Sequence, residues 1–175
     1  MRPFDTAPYM KDPERRQRQG TGGERELLER FLDFLRDTLF WKLSGLTEEQ
    51  ARTQRTPTGM SLLGPVKHLA YVERNWFQLR FLGQHVYVPW RSGDREGDFR
   101  IETDESFETV LDLYRAEIER SRRITAQTAS LDTLAVDPDR PVTLRWILIH
   151  MIEETARHCG HADLMREMAD GQTGE

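Results

Sequence analysis

The sequence predicts an all-α fold, a four-helix bundle, and three observations carry that prediction. Four long segments place apolar residues three or four apart, which sets them along one face of a helix. Connections rich in Gly, Pro, Asp and Thr separate those segments. The chain has 175 residues, enough for one domain with a real core, and closing four stripes around one interior is the economical solution.

The first helix is expected over residues 24–44. Glu24 and Glu26 suit its positive end, Gly45 is placed as a stop, and Leu28, Phe31, Leu32, Leu35, Leu39 and Leu43 form its stripe. Thr47 and Gln50 have the spacing of a capping box, T-x-x-Q, for a short helix ended by the Thr56-Pro57 and Thr58-Gly59 steps. The second long helix is expected over residues 61–82, with Pro65 in the first turn, where a missing N–H does little harm. His68, Val72, Asn75 and Leu79 share one side of it. Residues 83–103 read as a long connection, with an extended piece at 85–90 and a solvated turn at 91–98. The third long helix is expected over residues 104–127 on Phe107, Val110, Leu111, Tyr114 and Ile118. Thr143 can cap the last one, which includes residues 146–168. Residues 1–23, rich in Pro, Arg, Gln and Gly, read as an N-terminal arm, leaving the bundle as residues 24–175.

Composition narrows the function classes. Net charge is -5 with 31% charged residues, and no basic patch is interleaved with aromatics, so nucleic acid is not an expected partner. No apolar run approaches the roughly 18 residues of a membrane span, and the N-terminus has no apolar core of a secretory signal. A single cysteine, Cys159, excludes an internal disulfide framework and fits a reducing cytoplasm.

The last helix carries the chemistry. In WILIHMIEETARHCGHADLMREM, Glu154, His158 and His161 fall within roughly 40° of one another at about 100° per residue, and His150 lies one turn earlier. A carboxylate and three imidazoles on a partly apolar face are costly to bury without partners, and a metal ion is the simplest partner. Glu154 and His158 have the i, i+4 spacing of a two-toothed claw, and His68 can supply a third ligand from the second helix. Three protein ligands plus water would be a catalytic pattern; a structural zinc is normally closed by four. The same residues also read as solvated or hydrogen-bonded polar groups without a metal.

Roles stay open at this point for the neighbours. His161 can replace Glu154 as a ligand, act as a proton shuttle, or be a polar residue near the bundle end. His150 reads as a buried hydrogen-bonded residue, and His85 as a surface loop residue that would at most line the mouth. Asn75 can orient a water or substrate, or satisfy a buried amide. Cys159 points about 100° from His158 and reads as small core filler.

Two segments, SLLGPVKHLAYVERNWF (residues 61–77) and TLRWILIHMIEETARHCGHADLMRE (143–167), resemble the DinB-like superfamily, in its actinobacterial-type branch; WKLSGLTEEQ (41–50) does so too. The similarity covers about residues 24–174. It implies an up-down-down-up four-helix bundle, often a homodimer, holding one divalent metal. Most members of the superfamily use three histidines. Here His68 matches the first and His158 the last, while Glu154 stands at the middle position. That departure resembles the His, Glu, His site of mycothiol-dependent maleylpyruvate isomerase. The resemblance thus implies His68, Glu154 and His158 as metal ligands, with zinc favoured and nickel, iron or manganese accepted by the same donors. It also implies a metal-dependent enzyme that activates a low-molecular-weight thiol such as mycothiol, or water, for S-transfer or isomerisation. His161 and Asn75 would then orient the partners. The competing expectation is a non-catalytic metal-binding or ligand-sensing stress-response bundle.

Overall fold

Five α-helices order the described residues, and their ends follow the local chemistry. The computed structural model describes residues 20–173. Most of the expected arm, residues 1–19, lies outside that range. Helix α1 spans Glu24–Leu43 and turns off at Gly45, whose φ of 73° lies in the left-handed region that favours glycine. Helix α2, Glu48–Arg52, opens on the capping box: the Gln50 amide donates to Thr47 Oγ1 and the Thr47 amide to Gln50 Oε1. Helix α3 spans Leu63–Glu73 and widens without a break into π-helical turns over Arg74–Phe81. Helix α4 covers Phe107–Gln127 and α5 covers Leu144–Asp170. Ser106 and Thr143 cap these two by accepting from the Thr109 and Trp146 amides. The third long helix therefore starts three residues later than the apolar pattern predicts, because Ser106 supplies the cap.

Contacts at the helix ends fix the topology. Glu24 and Arg145 pair at one end of α1 and α5, and Lys42 and Asp163 pair at the other, so these helices run parallel. Arg74 reaches Glu117, and Lys67 reaches Glu105 just ahead of α4, so α3 and α4 also run parallel. Arg25, at the start of α1, donates to the Thr125 carbonyl near the end of α4, so the two pairs oppose each other. The bundle is up-down-down-up.

The interior divides into two apolar groups. One gathers Leu39, Leu43, Leu62, Leu63, Val66, Leu69, Val110, Tyr114, Ala162 and Met165; the other gathers Leu32, Phe77, Phe81, Leu144, Ile147, Leu148 and Met151. Each fully buried Leu, Ile or Phe side chain contributes about 1.5–3 kcal/mol relative to exposure. Phe31, expected in the α1 stripe, is 41% exposed, since the inward face is centred on Leu32, Leu39 and Leu43. Arg36 takes the inward place between Leu32 and Leu39. Its Nε and Nη2 both donate to Glu73 Oε1, at 2.8 and 2.6 Å, and both side chains are buried. Unpaired, neither charge would be tolerated there.

The connection after α3 departs most from expectation. Residues 85–88 carry no strand, and Pro89–Ser92 forms a 3-10 turn. The expected solvated turn at 91–98 ends inside the protein: Gly97 and Asp98 are buried. Gly64 eases this approach. A Cβ there would stand 3.1 Å from the Phe99 carbonyl oxygen, so a larger residue would push the loop back by a few tenths of an ångström from the first turn of α3.

Candidate metal centre

His68 on α3 meets Glu154 and His158 on α5. His68 Nε2 lies 3.1 Å from Glu154 Oε1, and His158 Nε2 lies 3.4 Å from the same oxygen. One donor atom from each residue falls within 4.8 Å of the others. The imidazole of His68 is sandwiched into place: Phe99 stacks on it, with ring centroids 4.2 Å apart and planes 18° from parallel. Its other nitrogen, Nδ1, sits 2.6 Å from Asp98 Oδ2. Asp98 is the functional residue that the sequence reading missed. Taking it for part of a solvated turn followed from a run of Arg, Ser, Gly, Asp and Glu; the loop's close approach to α3 beside Gly64 brings it inside.

Electrostatics follow from that packing. Burial alone would lower the His68 pKa, but the hydrogen bonds to Asp98 and then Glu154 outweigh it and hold the ring above its ordinary value. Hydrogen bonds from His158 and His68 hold the Glu154 carboxyl far below the ordinary carboxylate range. Burial pushes His158 below its ordinary value, favouring the neutral ring. Both nitrogens of His68 face carboxylate oxygens, and Asp98 Oδ1 is buried with no hydrogen-bond partner among the described residues. Such a site is rich in acceptors and poor in donors. The field that favours a proton on His68 Nε2 equally favours a divalent cation among these donors. Nitrogen and oxygen ligands with a carboxylate behind the first histidine are also the usual chemistry of a zinc-type centre. The residues present fit a divalent metal.

The other candidates take distinct places. His161 Nδ1 lies 3.2 Å from His158 Nδ1, so it is a neighbour of the second histidine. Asn75 is buried, lines the cleft beside the triad, and leaves its Oδ1 with no hydrogen-bond partner among the described residues. His150 lines the same cleft, stacked on Trp146 with centroids 5.0 Å apart, and stands 3.6 Å from Glu153 rather than in the triad. It is half-buried rather than enclosed. His85 is exposed and apart from the cleft. Cys159 packs in the core, with its Sγ 3.4 Å from the Leu35 carbonyl oxygen. The cleft has a volume of about 350 Å³ and reaches His68 and Glu154 between Val72, Trp76, Trp90 and Phe99.

The architecture is thus a four-helix bundle with a His, Glu, His cluster suited to a divalent metal beside an open cleft. A family model described as Mycothiol-S-transferase matches residues 27–171, and the chain belongs to that family, a DinB-like one. No curated protein matches it. Among solved structures, a conserved protein from Enterococcus faecalis is similar, at 19% identity and a TM-score of 0.64, over 86% of this chain and 99% of that one. At that identity the likeness bears on the fold. No helix among the described residues is long and apolar enough to cross a membrane.

Proposed function

We propose that this protein is a divalent-metal-dependent thiol S-transferase that uses mycothiol, or a thiol like it, on a small electrophile. The observation that carries this reading is the convergence of His68, Glu154 and His158, the first two of them lining an open cleft, in a chain of the mycothiol S-transferase family. His68, Glu154 and His158 would hold the ion, with zinc our expectation. A divalent ion there supplies Lewis acidity that lowers the pKa of a bound thiol.

The chain's own residues do the rest. Asp98 fixes the His68 ring through Nδ1, leaving Nε2 directed at the centre. His161 holds the His158 ring in the same way. Asn75 lines the cleft and would help to orient a substrate there. In the transfer, the thiol's proton passes to solvent and thence to the displaced group or the far carbon, while its sulfur forms the new bond to the electrophilic carbon. The electron pair leaves with the displaced group, or moves onto the far carbon of an opened double bond. Access from the cleft favours this reading over a closed, purely structural site, which would normally be completed by four protein ligands. We further propose a homodimer.

Elemental analysis of protein purified without chelator or affinity-tag nickel tests the first half: about one divalent ion per chain is expected, lost in His68→Ala and His158→Ala. Incubation of the metal-replete protein with mycothiol and a panel of electrophiles tests the second. Absence of thiol binding together with absence of metal-dependent conjugation overturns the proposal.

A further inference from the structure

The cleft beside the triad has a composition of its own. Its walls are Val72, Trp76, Trp90 and Phe99, and its polar groups beyond the triad are Asn75, Arg95, Asp98 and His150. Trp76 is almost wholly buried and braced by its neighbours: Trp146 lies 5.0 Å away between centroids, and the Arg80 and Arg140 guanidiniums lie 5.3 and 5.4 Å from its ring. Trp90 is only half-buried and its centroid stands 6.4 Å from that of His68, so it offers aromatic surface close to the candidate metal ligands. Arg95 is exposed at the mouth and makes no ion pair among the described residues. Asp94, the preceding acid, is instead committed to Arg100 at 2.5 Å. Asn75 adds a buried acceptor with no hydrogen-bond partner among the described residues.

Volume limits what this cleft holds. Pockets for drug-sized ligands run from about 300 to 1,000 Å³, so 350 Å³ suits one small molecule of about a single ring, not two substrates side by side. A separate, more polar cleft of about 420 Å³ lies across Arg95 and Phe99, lined by Gln54, Thr58, Met60, Glu96 and Arg100. It leaves room for a second, hydroxyl-rich reactant outside the aromatic one.

We propose that the aromatic cleft is the electrophile subsite and that it selects a flat, single-ring molecule carrying an anionic group. The ring lies against Trp90 and Phe99, and the anionic group meets Arg95 at the mouth. Dispersion and ring stacking supply the affinity for the flat part, and a guanidinium without a carboxylate partner supplies the preference for an anion. Naming the molecule an electrophile rests on the S-transferase reading; the shape preference rests on the aromatic walls, and the charge preference on Arg95, set against the Asp98 and Glu154 carboxylates of the same cleft.

The test is therefore a binding measurement that needs no turnover. Benzenesulfonate, a poor metal ligand, is titrated into the full chain, as purified and after zinc loading, with calorimetry or NMR shift mapping as the readout. Methanesulfonate, lacking the ring, and benzyl alcohol, lacking the charge, serve as comparisons. Benzenesulfonate is expected to bind at least about tenfold more tightly than either. Arg95→Ala should abolish its advantage over benzyl alcohol, and Trp90→Leu its advantage over methanesulfonate. Arg95 is exposed, so its variant keeps the fold, and circular dichroism checks Trp90→Leu. Equal binding of the three probes, or a wild-type preference in the Arg95→Ala protein, overturns the assignment. Selective benzenesulfonate binding by a protein that conjugates no thiol would overturn the transferase reading and leave this one standing.

Discussion

The bundle buries two charged clusters, and they are built differently. Arg36 and Glu73 form a closed pair: the guanidinium donates twice to one carboxylate oxygen and once more to Asp33, and neither Arg36 nor Glu73 has meaningful exposure. Burial would lower the Arg36 pKa, but the facing Glu73 carboxylate outweighs it. His68, Asp98, Glu154 and His158 form an open cluster, with two carboxylates facing imidazoles and a cleft leading to them. The Arg36–Glu73 pair answers most of its own charge and serves the fold, although Glu73 Oε2 is buried with no hydrogen-bond partner among the described residues and Arg36 lines a pocket of about 260 Å³. An acceptor-rich group reachable from outside is answered by something that arrives.

Three experiments press on that contrast. The largest effect is expected from Glu73→Ala, which leaves Arg36 buried without its main partner and should cost about 3–5 kcal/mol in urea unfolding. Folded Glu73→Ala protein should still carry its metal. Replacing both partners by apolar residues, Arg36→Met with Glu73→Leu, should recover most of the loss; a cost below about 1 kcal/mol for the single variant would show that the pair is not closed. Next comes Asp98→Asn, which keeps the size of the side chain but weakens its hold on His68. Metal affinity, measured by chelator competition, should fall about 10- to 100-fold. Unchanged affinity would remove Asp98 from the centre. The smallest effect is expected from Arg157→Ala. Arg157 pairs with Glu153 and lies 3.3 Å from Glu154 Oε2, but it is 55% exposed, so thermal or urea unfolding should shift by about 0–1 kcal/mol. Metal content should not change, and a loss of metal there would mean that the cluster extends to the surface.

Much of this molecule was legible in the sequence because periodicity reports helices and their inward faces directly. The stripes through Leu32, Leu39 and Leu43, and through Val110, Leu111 and Tyr114, are where the apolar pattern puts them. The spacing of Glu154 and His158 predicts one helical face, and the structure brings His68 to it. What was not legible depends on contacts between segments far apart in the chain. Arg36 has its partner, Glu73, on another helix, and no spacing in the sequence pairs the two. Asp98 sits in a run of polar residues that reads as solvated, and its burial depends on the loop's close approach to α3 beside Gly64. The widening of α3 has no compositional signature in RNWFQLRF, since its residues suit an ordinary helix equally well.

That widening separates two settings of the site. His68 lies upstream of it, in regular helix, while Asn75 and Trp76 lie within it and line the cleft. Gain or loss of a single residue in the wide turns would swing the cleft wall to a new heading while His68 stays where it is. A lineage with this bundle can therefore change what it accepts without rebuilding the centre that acts on it.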